Sequence, residues 1–250
     1  MPDDLIDELS ARHRVWSQKP VLRSIYADIY RRLLDNCTEG SCILEVGGGT
    51  GVGKNFINDG VSLDIIESPW TDLVADCHAL PFSSNSLDNV VLVDVLHHLH
   101  RPVHFLNEAS RTLRPGGRIV MVEPAVTALS YAFYKWLHYE PLDMSVMPLS
   151  DENGKSERNP LYDSNQAIPT LLFERDRVEL LQNLDELQIA KTDYFSLWAY
   201  PLSGGYRPWS LLPSFLVEGL LKIERRLEPW LAKFCGFRMI IVLEKDKHPG

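Results

Sequence analysis

Acidic residues recur at the ends of apolar runs through the first half of the chain. Glu45, Asp64, Asp76, Asp94 and Glu123 each lie in or just beyond a stretch rich in Val, Ile and Leu, and His97 and His98 follow the fourth. Carboxylates at strand ends can accept from amines and vicinal hydroxyls, and a histidine beside them can carry a proton near neutral pH. Around the first of these acids lies Ser41 to Asn55, SCILEVGGGTGVGKN, with five glycines in seven positions. Cys42, Ile43, Leu44 and Val46 read as a strand buried on both faces, and Gly47 to Gly53 as a turn that no side chain may crowd. A ligand can then rest against main-chain N–H groups.

Spacing separates three readings of the loop. The dinucleotide pattern Gly-x-Gly-x-x-Gly fails, because counting from Gly47 ends on Val52 and counting from Gly49 ends on Lys54. The phosphate-loop pattern is met from Gly48 through Gly53 and Lys54, but Asn55 stands where a magnesium-binding hydroxyl is required. Glu45 would also repel a polyphosphate at close range. The third reading, Glu45-x-Gly47-x-Gly49-x-Gly51, resembles motif I of the class I S-adenosylmethionine-dependent methyltransferases. In that family the acid and the glycine turn position the methionine end of the cofactor.

The following segments extend the resemblance. Val61 to Glu67 reads as the second strand, and Asp64-Ile65 resembles the family's strand ending that holds the ribose hydroxyls; Glu67 is the fallback acid. Leu73 to Phe82 resembles the third-strand motif, which implies that Asp76 accepts from the adenine amino group and that the Cys77 N–H donates to the ring. His78 takes no role and reads as a loop residue. Asn89 to Val95 is an apolar strand, and Asp94 and the Leu-His97-His98-Leu turn after it border, by resemblance, the cofactor and the departing methyl group. The helix Val103 to Leu113, stopped by Arg-Pro-Gly-Gly and restarted as the strand Ile119 to Glu123, is similar to the family's post-motif. The resemblance covers Leu44 to Glu123, roughly a third of the chain, and looks like the enzymes that act on quinones, sterols and other small molecules.

The implied reaction is direct displacement on the sulfonium methyl of S-adenosyl-L-methionine, leaving S-adenosyl-L-homocysteine. A hydroxyl acceptor would need a base, for which His98, His97, Glu123 and His138 are candidates in that order. The same loop leaves two further readings: a nucleotide-binding protein built on Gly48 to Lys54, and a partner subunit that binds the cofactor without transferring the methyl group.

Composition sets the outer bounds. The 250 residues carry a net charge of −9 and are 45% hydrophobic, which suits one domain with a real core and disfavours a nucleic-acid groove. Cys37, Cys42, Cys77 and Cys235 show no zinc-ligand spacing and read as reduced, buried thiols; no metal site is expected. The acidic start and the lack of a long apolar run imply a cytoplasmic protein without a transmembrane segment, a monomer or homodimer.

The elements that must position these residues follow from periodicity. Residues 1–40 read as helix packed on the sheet, with Trp16 or Tyr26 able to reach over the cleft as a lid. Ser68-Pro-Trp-Thr71 leaves no room for a full crossover helix before the third strand. After Glu123, Ala125 to Met147 is helical with aromatics on nearly every side, Ser150 to Asn159 is a polar loop, and Asp176 to Leu184 is the last crossover helix. Gln188 to Trp198 and Arg238 to Glu244 are the sixth and seventh strands. The long segment 200–236 holds an amphipathic helix in which Glu218, Glu224 and Glu228 offset the basic residues that anionic lipid would need, which favours capping of the cleft over membrane contact. The expected fold is one α/β domain over residues 1–250, with a cofactor core at 41–124 and an acceptor-site cap from 125–175 and 200–236. Its Rossmann-like seven-stranded sheet is mostly parallel, with an antiparallel last strand and helical insertions after strands five and six. Ligand belongs at the C-terminal ends of strands one, two and four.

Overall fold

Successive residues of a strand face opposite sides of its sheet, and in the central strands both sides are apolar. In the computed structural model, which describes residues 2–40, 42–138, 140–149 and 164–247, this alternation builds two cores. Val90, Leu92, Ile119, Met121, Ile241 and Leu243 face one core, while Val91, Val120, Val122, Ile240 and Val242 face the other. Such strands must be covered by helices on both faces, which is the condition for a parallel α/β sheet.

The strands are β1 (Ile43–Val46), β2 (Val61–Asp64), β3 (Leu73–Val74), β4 (Leu87–Val93), β5 (Leu113–Pro124), β6 (Leu187–Phe195) and β7 (Arg238–Lys245). They form one sheet in the order β3-β2-β1-β4-β5-β7-β6. The links from β3 to β5 are parallel, and β7 runs antiparallel to both β5 and β6. Helices α1 (Pro2–Gln18) and α2 (Pro20–Leu34) replace the single helical segment expected at the start. The break is local chemistry: Lys19 precedes a proline, and its backbone is extended at φ −110°, ψ 93°.

Helix α3 (Pro102–Thr112) precedes β5, α4 (Ala128–Leu137) follows it, and α5 (Ile168–Thr170) runs through a π-helical stretch, Leu171–Arg175, toward α6 (Arg177–Gln182). Between β6 and β7 lie α7 (Ala199–Ser203) and the long α8 (Val217–Cys235). The polar loop expected at Ser150 to Asn159 lies outside the described residues. From β2 to β3 the chain crosses without a helix, and β3 shrinks to two residues on the sheet edge. Asp72 supports this tight crossing by accepting from the Ser62 N–H at 2.9 Å and pairing with Lys54 at 2.5 Å. Of the four cysteines, Cys77 is buried and Cys42 is exposed, against the expectation of buried thiols throughout; Cys42 precedes β1 rather than lying inside it. Among the described residues, no helix is long and apolar enough to cross a membrane.

Candidate active site

The glycine loop leaves β1 and is drawn onto β2, where the Gly47 and Gly48 N–H groups both donate to the Leu63 carbonyl. Gly47 and Gly51 adopt φ of +77° and +70°, a region that side chains with a Cβ avoid. A Cβ at Gly47 would lie 2.3 Å from Val95 Cγ2, and one at Gly51 would lie 2.3 Å from Trp70 Cγ. Gly49 donates to Asp64 Oδ2 at 2.8 Å, and the Ile66 N–H donates to Oδ1 at 2.9 Å. Asp64 therefore fastens the loop as well as facing the cavity. Glu45 is buried and accepts from the Tyr30 hydroxyl at 2.6 Å; burial raises its pKa against the opposing pull of that bond and of Lys54.

These groups open onto one cavity of about 820 Å³. Single-ligand pockets span roughly 300–1,000 Å³, so this volume stands near the top of the range. Glu45, Gly47, Asp64, Ile65, Asp76, Cys77, Asp94, His97 and His98 all line it, whereas Gly49, Gly51, Glu67 and Glu123 do not. Lys54 turns to the surface onto Asp72, and the loop runs into a short 3-10 turn, Gly53–Asn55, where a phosphate loop would start an α-helix. Helix α1 lies over the loop: Leu9 and Arg12 line the cavity, and His13 Nδ1 pairs with the Thr50 carbonyl at 2.8 Å while its ring stacks on Trp70. Of the two aromatics expected as a lid, Tyr26 lines the cavity and Trp16 packs into the core.

At the far end of β2 and β3, Asp76 accepts from the His78 N–H at 2.9 Å and pairs with His78 Nδ1 at 2.7 Å. Burial would raise the Asp76 pKa, but these bonds hold it low, while burial pushes the Cys77 thiol up to about 12. His78 lies in the turn after β3, as read from the sequence, and is in addition buried in the wall of the cavity.

Where β4 ends, Asp94 adopts φ +58° and forms a two-toothed pair with Arg238, at 2.5 and 2.9 Å. Arg238 opens β7, is buried, and lies with its guanidinium 4.3 Å over the Tyr200 ring. Burial alone would lower the Arg238 pKa; Asp94 and the nearby tyrosines raise it, so the cation persists. An arginine opening the apolar run Met239 to Leu243 was the visible sign that an acid must meet it.

Glu123 is fully buried and accepts from the Val95 and Leu96 N–H groups at 2.9 and 2.8 Å, while its other oxygen meets His97 Nδ1 at 2.7 Å. His97 Nε2 lies 3.5 Å from Glu140, a residue that sequence reasoning did not single out and that also accepts from Gln166. Burial would lower the His97 pKa, but the two carboxylates raise it to about 10, and the same pairing lowers that of Glu140. His98 is the opposite case. Burial and the neighbouring His97 cation push it down to about 3, so its ring stays neutral. Its Nδ1 is buried without a hydrogen-bond partner among the described residues. One atom each from His97, His98 and Glu140 lie within 4.8 Å, as do one each from Asp76, Cys77 and His78. Charge pairing already accounts for the first group, since His97 is shared between two carboxylates.

The arrangement suits a cationic, ribose-bearing ligand. Three carboxylates at neighbouring strand ends face the cavity beside a glycine turn, an acceptor set that favours amines and hydroxyls and disfavours polyphosphates.

Comparison with known proteins agrees with this chemistry. Residues 44–121 match the family described as Methyltransferase domain. Over 100 residues the chain is 30% identical to the ubiquinone/menaquinone biosynthesis C-methyltransferase UbiE of Cereibacter sphaeroides, covering 39% of each. Over 110 residues it is 33% identical to a probable S-adenosylmethionine-dependent methyltransferase of Mycolicibacterium smegmatis, covering 38% of this chain and 42% of that one. The chain thus spans less than half the length of these curated relatives. A crystal structure of a SAM-dependent methyltransferase from Archaeoglobus fulgidus shares the fold, with a TM-score of 0.51 at 17% identity, covering 89% of this chain and 94% of that one. The glycine turn, the acids on successive strand ends and the 3-2-1-4-5-7-6 sheet therefore belong to a class I S-adenosylmethionine-dependent methyltransferase domain.

Proposed function

We propose that this protein transfers the methyl group of S-adenosylmethionine to a small, apolar or aromatic acceptor. The observation that carries the acceptor class is the second half of the cavity. Beyond the glycine turn it is walled by Tyr26, Phe133, Tyr134, Tyr200 and Tyr206, drawn from α2, α4 and the segment before β7. Flat or apolar molecules suit such a chamber. The named role of the Cereibacter relative in quinone biosynthesis makes quinols the first acceptors to try.

The cofactor would supply the electrophilic methyl group. Glu45 and the glycine turn would hold its methionine end, Asp64 with Ile65 its ribose, and Asp76 with Cys77 its adenine. Among the base candidates, His97 is protonated and therefore cannot accept a proton, and Glu123 is already held by three donors. His138 also lines the cavity and is held neutral by burial, but its Nδ1 already accepts from the Glu140 N–H at 3.3 Å. That leaves neutral His98, its Nδ1 unpartnered among the described residues, to accept a hydrogen bond from an acceptor O–H or N–H. Its pKa near 3 makes it a weak base at neutral pH, so it serves mainly to orient the nucleophile. Alignment of this kind can contribute ~7–11 kcal/mol of the barrier lowering.

Calorimetric titration tests the reading. S-Adenosylmethionine and S-adenosylhomocysteine are expected to bind, ATP with magnesium is not, and Asp64→Ala is expected to weaken both sulfur ligands at least ~10-fold, the effect of ~1.4 kcal/mol. Binding of ATP alone would overturn it. In an acceptor screen, His98→Ala is expected to lower kcat at least ~10-fold while leaving cofactor affinity nearly unchanged. Equal loss of both would remove His98 from the acceptor site, and cofactor binding without transfer to any acceptor would favour a partner subunit.

A further inference from the structure

Helix α8 presents an outward stripe that is left uncovered among the described residues. Gly219, Lys222, Ile223, Arg226, Trp230, Lys233 and Phe234 are all exposed, and at 100° per residue they fall within an arc of about 120°. Trp230 and Phe234 are 72% and 66% exposed, and Phe215 just before the helix is 81% exposed. Isolated exposed apolar side chains need no explanation, but apolar side chains lined up with lysine and arginine along one helix face do.

The charges on the stripe are one-sided. In sequence, Glu218, Glu224 and Glu228 offset its basic residues. Folding removes two of them: Glu224 is buried and accepts from the N–H groups of Leu197, Trp198 and Ala199, and Glu228 takes both Nη atoms of Arg32. Helix α4 runs beside α8, since Thr127 at its start donates to the Gly236 carbonyl and Leu137 at its end accepts from Arg207. Across α4, residues 206–216 and α8, the exposed charged side chains are Lys135, Arg207, Lys222, Arg226 and Lys233 against Glu218 alone. In a chain of net charge −9 this is a marked local reversal. Trp136 on α4 is also 73% exposed.

The cavity reaches two of these segments, for exposed Leu137 of α4 and exposed Arg207 and Trp209 all line it. We propose that the outward stripe of α8, with Phe215 and Trp136, seats this protein on an anionic bilayer surface, with the cavity mouth turned toward the lipid. Aromatic side chains enter the interface while lysine and arginine meet anionic headgroups, which is the recognition pattern of an interfacial helix. Docking of this kind requires no methyl transfer and is read out independently of it. It would let an apolar acceptor pass from bilayer to pocket without crossing water.

Flotation of the full chain with vesicles decides the matter. Vesicles of equal parts phosphatidylcholine and phosphatidylglycerol are expected to carry the protein, and pure phosphatidylcholine vesicles to carry far less. Combining Lys222→Gln, Arg226→Gln and Lys233→Gln should lower partitioning onto the anionic vesicles roughly 100-fold, at about 1 kcal/mol per basic residue. Trp230→Ser with Phe234→Ser should lower it on both compositions, and high salt should mimic the charge variant. All these side chains are exposed, so the fold tolerates their loss, and an unchanged thermal midpoint verifies that. The proposal fails if the native chain shows no preference for anionic vesicles, or if the charge variant floats as well as the native chain. It also fails if sedimentation velocity shows a dimer that Trp230→Ser with Phe234→Ser dissociates while vesicles carry neither form, which would make the stripe a contact between two copies.

Discussion

Gly47→Val is expected to weaken S-adenosylmethionine binding at least ~100-fold, a loss of ~2.7 kcal/mol. Two costs combine at this position. The backbone φ of +77° is one that a β-branched residue adopts only under strain, and the new Cβ would meet Val95 Cγ2 at 2.3 Å. Neither can be relieved without moving the turn, because the Gly47 and Gly48 N–H groups are bound to Leu63 and the Gly49 N–H to Asp64. Calorimetry measures the loss, and circular dichroism establishes that the sheet survives. Pairing Gly47→Ala with Val95→Ala should recover part of the affinity lost in Gly47→Ala alone, since it removes the clash and leaves the strain. If Gly47→Val binds cofactor as the native chain does, the turn is not the cradle.

Glu123→Ala is expected to destabilise the fold by ~3–5 kcal/mol, the usual cost of stripping one partner from a buried ion pair. The glutamate serves two backbone N–H groups and His97 at once, so its removal leaves all three donors short of a partner. The same variant should change the pH dependence of stability. In the native chain His97 titrates near 10 when folded, against an ordinary 6.5, because Glu123 and Glu140 outweigh burial. A raised pKa contributes stability that is complete below pH ~6.5 and is lost as pH rises through 10, at up to ~1.4 kcal/mol per pH unit. Melting curves of the native chain should therefore fall across that window, and Glu123→Gln and His97→Phe should each flatten the fall. Parallel curves for the native chain and both variants would mean that His97 is not held as a cation.

The two halves of the molecule differ in how much the chain reveals before folding. Leu44 to Glu123 repeats a simple local rule, in which a buried strand ends on an acid or a glycine, and each segment carries its own cue. The sheet order agrees with that reading, including the missing crossover helix before β3 and the antiparallel β7. The early helix was legible as helix but not as two, although Pro20 marks the break. His78 carried no sign of burial, because the wall it belongs to is built by the fold. Glu140 was silent for the same reason: its partners His97 and Gln166 are distant in the chain.

The residue types and spacings alone determined the α/β class, the glycine turn, the acids that face the cavity and the kind of cofactor they suit. Each of these depends on contacts within a few residues, on strand periodicity or on backbone freedom at glycine. Tertiary structure decided the protonation of His97 and His98, the neutralisation of Asp94 by Arg238, and the inward turn of Glu224 and Glu228 that leaves α8 basic and aromatic toward solvent. Those outcomes depend on which charges are brought together and how far water is excluded from them, and both are properties of the folded chain.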